Sequence, residues 1–344
     1  MIKPWIFELF GSPVRGADAS AAETAESYRW HLDLWRRAEE FGFEGIFFSE
    51  HHFGLGFSPS PNLLIAHLAA VTKRLRLGVM GIVLPYWQPW RVAEEIGMLD
   101  QLTGGRLEIG TASGIPQEMA QIGLSVEEAN ARNAEAVEIL DKVLANPVVT
   151  HHGQYWDFTE LRIAPRPLQL PAPPRWTTVI STQSARKAAR RGSKLCTGFH
   201  PAERINEIFD AYRDEAQRSG HPHGPDQLAI RRNVIVAADE SEAQETARTA
   251  AELYRQALSH DPRFSASPVP DAPGQTHGFS IGADEFIAGT GAHVAEQIIA
   301  QCRAVGCGHF LSTMSRNRGR DNQMASYEIY AREVIPRLRR AAID

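Results

Sequence analysis

The sequence predicts an α/β chain of 344 residues folded as a single-domain (β/α)8 TIM barrel, with an extended loop inserted after the seventh strand. Three observations carry that expectation. Strand-like and helix-like stretches alternate eight times, no internal repeat is visible, and no GxGxxG turn follows the first strand. Alternation implies parallel strands joined by right-handed crossovers. An open doubly wound sheet is the alternative, but it ordinarily carries the missing glycine fingerprint. Eight units point to a closed ring.

The elements follow in order. Trp5 to Phe10 reads as a first strand, and Tyr28, Leu32, Trp35, Ala38 and Phe41 mark one face of a helix at spacings of three and four. Gly45 to Phe48 is a short, fully apolar second strand, and Asn62 to Thr72 a helix initiated by Pro61. "RLRLGVMGIVLP" is the third strand, and Trp90 to Leu102 its helix, ended by Thr103-Gly104-Gly105. "RLEIG" is the fourth, with Ser125 to Leu144 opening in capping-box spacing. The segment 148–175 departs as a polar excursion with a hairpin around Gly153. "WTTVI", "KLCTGF", "LAIRRNVIVAA" and "HFLST" supply strands five to eight, each followed by a helix, the last over Met324 to Arg340. Between strands seven and eight, 259–291 is rich in proline and glycine. It reads as a mobile lid over the barrel mouth or as a plain flexible loop.

Composition excludes several classes of function. A formal net charge of -5 gives no basic field for nucleic acid. Three scattered cysteines, Cys196, Cys302 and Cys307, form no CxxC pair and no disulfide framework. The apolar runs fall short of the roughly 20 residues of a membrane span, and the N-terminus is too polar for a secretory signal. A soluble, cytoplasmic protein without nucleic-acid or membrane partners is expected.

Chemistry concentrates at the strand tips, where barrels of this kind build their sites. Ser49, Glu50, His51 and His52 end the second strand, and a histidine that changes charge near neutral pH suits proton transfer. No metal site is expected, because adjacent histidines on a strand point to opposite faces. The only His-x-His, His221 to His223, lies in a proline- and glycine-rich loop. His151-His152 reads as a surface pair. After strand five, Ser181, Thr182 and Ser184 precede a helix, and Arg132 lies on an earlier one. Hydroxyls at a helix N-terminus suit either a phosphate or plain capping, and both readings stay open.

The chain resembles the bacterial luciferase-like family of flavin-dependent monooxygenases. The resemblance rests on "SEHHF", on Leu77 to Gly114, on "ISTQSARKAARRG" and on "AREVIP", and it covers nearly the whole chain. It implies His51 as the catalytic histidine, acting as a base in the flavin's oxygen chemistry. It implies Ser181, Ser184 and Arg132 at the flavin phosphate, Ile180 beside the flavin, and Met80-Gly81 at a non-proline cis peptide beneath its ring. Ser113 stands where luciferase has a phosphate-binding arginine and is counted among the cofactor contacts. Ala112 replaces a reactive cysteine, and Gln88 replaces a histidine, which argues against light emission. The implied activity uses O2 and reduced FMN from a separate flavin reductase to oxygenate a small, largely apolar substrate, in a homodimer. A deazaflavin-dependent hydride-transfer dehydrogenase of the same fold and a non-catalytic flavin-binding subunit are the alternatives.

Overall fold

The computed structural model describes residues 1–11, 19–54, 56–259, 283–314 and 319–343. Its strands are β1 (Lys3–Glu8), β2 (Gly45–Phe48), β3 (Arg76–Val83), β4 (Leu107–Ala112), β5 (Val148–His152), β6 (Asp157–Arg162), β7 (Arg175–Thr178), β8 (Lys194–Gly198), β9 (Leu228–Val236), β10 (Phe286–Gly289) and β11 (His309–Met314). Eight of them follow the order β9-β11-β1-β2-β3-β4-β7-β8, and β8 pairs back onto β9. That order is a closed (β/α)8 barrel. The expected fold class therefore holds. Close contacts group the chain into two compact units, each described by itself.

The unit made of Glu8–Glu39 and Gly45–Thr178 holds β2, β3, β4 and β7, all parallel. β2 is buried along its whole length, as a strand covered on both faces must be. On α1 (Ala21–Phe41), Leu34, Trp35 and Ala38 are buried at the helical spacing the sequence shows. The helices α2 (Pro61–Val71) and α3 (Pro89–Thr103) both open on a proline, whose missing N–H costs nothing at a first turn. A short helix the sequence did not suggest, α4 (Pro116–Gln121), comes next. On α5 (Val126–Ala145), Ser125 caps the N-terminus by accepting from the Glu128 N–H. β5 and β6 pair antiparallel as a separate two-stranded sheet.

The other unit, Met1–Phe7, Glu40–Glu44 and Val179–Asp344, holds β8, β9, β11 and most of β1. β10 pairs parallel with the end of β9, Phe286 opposite Asn233. This corrects the expectation that 259–291 is one loop. Residues 260–282 of it lie outside the described residues, but Ala283–Glu285 form a turn and β10 follows. The physical reason is a buried charge. Glu285 is fully buried and accepts from Arg231, Arg232, Asn233 and the Phe199 N–H, tying the start of β10 to β9. Buried charges persist when paired in this way. The last helix is interrupted: Arg320–Ile329 passes through a π turn at Tyr330–Val334 into Ile335–Arg340, next to Pro336. Proline has no N–H to continue the ladder.

Candidate active site

At the C-terminal end of β2, two imidazoles sit on two buried carboxylates. Glu118 comes from α4 and is 1% exposed. Its Oε1 meets His51 Nδ1 at 3.1 Å and accepts from the His52 backbone N–H at 2.9 Å. Glu50 is almost as buried, and its Oε1 meets His52 Nε2 at 3.0 Å. It also accepts from the Trp87 indole at 2.8 Å and from the Val83 N–H at 3.2 Å. Each buried carboxylate is thus satisfied by several donors, as burial of charge requires. The Glu50 hydrogen bond, opposed by partial burial, raises the pKa of His52 above the ordinary histidine value.

A carboxylate offers only acceptor atoms, so the ring nitrogen facing it carries the proton. His51 therefore holds Nδ1–H toward Glu118, and among the described residues nothing bonds its Nε2. His52 holds Nε2–H toward Glu50, and its Nδ1 is the atom without a described partner. Neighbouring residues thus present opposite nitrogens. Phe53 follows with a φ of 56°, a left-handed conformation rare for a bulky side chain, and its ring is largely exposed.

The neighbouring strand tips complete this group. The Met80–Gly81 peptide on β3 is cis. A Cβ on Gly81 would lie 2.6 Å from the Thr111 backbone of β4, so only glycine lets the two strands approach here. Met80 is buried, while Ser113 is half-buried in the loop just past β4. Arg132 on α5 pairs with Glu128 at 2.8 Å, and its guanidinium lies 5.0 Å from the centre of the Tyr155 ring.

Three expected cofactor contacts belong to the other unit. Ile180 and Ser181 immediately precede α6 (Thr182–Arg190). Ser181 caps that helix, accepting from the Ser184 N–H at 3.2 Å and donating to the Ser184 hydroxyl at 3.0 Å. Capping, one of the two readings left open, is therefore present.

Two sequence readings need amendment. Glu118 was missed: a lone glutamate in "IPQEM" carries no periodic signal, and only its helix brings it to His51. His151 is buried, against the expected surface pair, whereas His152 is exposed. The cause is the period of two along β5, which turns Val149 and His151 inward together. The carboxylate of Glu135 reaches His151 Nε2 at 3.2 Å and accepts from the N–H groups of Gln154, Tyr155 and Trp156. Among the described residues no cluster of metal-ligating side chains occurs, and no helix is long and apolar enough to cross a membrane.

A barrel with a carboxylate-held histidine at one strand tip and a serine-capped helix after another is the outline of a cofactor-dependent enzyme. The luciferase-like monooxygenase family matches residues 7–307, and the chain belongs to that family. It is 30% identical over 247 residues to the oxygenase component of a flavin-dependent trigonelline monooxygenase from Acinetobacter baylyi, covering 69% of this chain and 67% of that one. Among solved structures, the monooxygenase RslO1 of Streptomyces bottropensis has the same fold, with a TM-score of 0.82 at 24% identity over 97% of this chain and 99% of that one. So does the oxygenating constituent of 3,6-diketocamphane monooxygenase from Pseudomonas putida, a type II Baeyer–Villiger enzyme in complex with FMN. Its TM-score is 0.79 at 23% identity, over 98% of each chain.

Proposed function

We propose that this chain is the oxygenase of a two-component flavin monooxygenase. It takes reduced FMN from a separate reductase and uses O2 to oxygenate a small, largely apolar organic molecule. The observation that carries the reading is His51, fixed through Nδ1 by buried Glu118 with Nε2 left open at a strand tip. Membership of the family supports it, as does a relative that is itself an oxygenase component.

The residues present suit a flavin. The backbone crossing at Gly81 admits no side chain, so the tips of β3 and β4 lie close together. The Ser181 and Ser184 hydroxyls at the start of α6 suit a phosphate, helped by the helix N-terminus. Arg132 would supply charge, Ile180 an apolar edge, and Ser113 a further hydroxyl.

When bound, the reduced flavin supplies the oxygen-activating chemistry; the protein supplies binding, orientation and proton handling. Glu118 fixes the ring of His51, and Nε2 takes a proton from the reacting group as general base. Met80, Ile82 and Val83 are buried along β3 and keep water from its tip.

Anaerobic titration with reduced FMN and with a deazaflavin tests the reading. Reduced FMN should bind, and Ser181→Ala combined with Ser184→Ala should weaken it about tenfold or more, as loss of hydrogen bonds to a charged group does. Tight binding of the deazaflavin alone would overturn it in favour of hydride transfer.

A further inference from the structure

A hydroxyl beside the histidine pair is unsatisfied. Tyr86 ends the short turn Leu84–Tyr86 after β3, and its Oη is shielded from solvent with no hydrogen-bond partner among the described residues. Buried hydroxyls are ordinarily paired, and an unpaired one weakens the fold unless a ligand completes it. The Tyr86 ring stands edge-on to His52, with centroids 5.2 Å apart at 80°. His52 spends Nε2 on Glu50, which leaves Nδ1 as its unused atom.

The surroundings restrict what can bind. Gly114 has a φ of 90°, and a Cβ there would come 3.2 Å from Tyr86 Oη, so glycine leaves the hydroxyl uncrowded. The Phe53 ring, 5.6 Å from that of His52, adds an apolar wall, and Val83 and Met119 flank Gly114. Burial, with the charges of Glu118 and Glu50, pushes the Tyr86 hydroxyl up to about 12, so it stays protonated and donates. The same two buried carboxylates repel an incoming anion.

We propose that Tyr86 Oη is the polar anchor of the substrate, donating to a neutral carbonyl oxygen beside His52 and rejecting carboxylates. His52, Tyr86 and Gly114 come from the ends of β2, β3 and β4, next to His51 and within one compact unit. The substrate class is then a compact, uncharged carbonyl compound with an apolar body. The inference rests on the oxygenase reading only in calling this ligand the substrate; the site itself rests on the unpaired Tyr86 hydroxyl.

Ligand-detected NMR titrations of the full chain test it, with cyclohexanone, methylenecyclohexane and cyclohexanecarboxylate as probes, for wild type and Tyr86→Phe. Methylenecyclohexane keeps the shape and removes the acceptor, so the cycle isolates the hydrogen bond. The preference for the ketone over the alkene should fall about three- to tenfold in the variant. Cyclohexanecarboxylate should not displace the ketone. An unchanged preference, no ketone binding to wild type, or equal binding of the carboxylate overturns the proposal. Removing an unpaired hydroxyl should leave the melting temperature unchanged or higher; a clear drop would reveal a partner and also overturn it. None of these readouts needs flavin, so they stand or fall apart from the FMN titration.

Discussion

The chain contains two double histidines in the same compact unit, and they make opposite use of similar partners. His51 and His151 each lie about 3 Å from a glutamate on a helix, Glu118 at 3.1 Å and Glu135 at 3.2 Å. The difference is the second nitrogen. Lys142 Nζ, which has only protons to give, reaches His151 Nδ1 at 3.2 Å, so His151 spends both ring atoms on structure. His51 spends one and keeps the other open. What a histidine can do is decided by the atom its orienting partner leaves unused.

The largest effect that would break this comparison is exchange of roles. His51→Ala should lower turnover about 10²–10⁴-fold, the usual worth of a positioned acid–base group, with little change in melting temperature. His151→Ala should do the reverse, costing about 1–3 kcal/mol of stability while folded protein keeps its activity. Paired rate and melting measurements check both; loss of turnover in His151→Ala alone would erase the distinction.

A smaller effect sharpens it at the carboxylates. Glu118→Gln should lower kcat about 10–100-fold with KM nearly unchanged, the usual reach of a residue that orients another. Glu135→Gln should instead loosen the hairpin β5–β6, seen as faster amide exchange at Gln154, Tyr155 and Trp156.

How much of this was legible in the sequence follows the same line. The barrel was readable because eight apolar strands alternate with helices, and periodicity is a property of many residues at once. "SEHHF" was readable because four polar residues end an apolar strand. Glu118 was not, since nothing local distinguishes it from a surface glutamate. "FIAG" of β10 was missed because four residues beside a proline-rich stretch are too few to show a period. The burial of His151 was in principle available, because the alternation of Val149 and His151 places them on one face.

The smallest effect is read at Glu135 by pH. Burial alone would raise the Glu135 carboxyl, but the N–H groups of Trp156, Tyr155 and Gln154 and the His151 ring outweigh it, so its pKa lies below the ordinary value of 4.5. A lowered folded-state pKa means stability that is present above the unfolded value and lost as pH falls through the folded one. Melting temperature should therefore decline on acidification below about pH 4.5, and less steeply in Glu135→Gln. An identical acid slope in wild type and variant would remove Glu135 from the account.

For His51 to act as a base, Glu118 must keep the proton on Nδ1 and leave Nε2 open. Nitrogen-15 NMR of the histidine rings, assigned with His51→Asn and recorded above the histidine titration range, reads this without flavin or substrate. His51 should show a protonated Nδ1 and a bare Nε2, and His52 the opposite tautomer. A His51 ring found protonated at Nε2 would contradict that role.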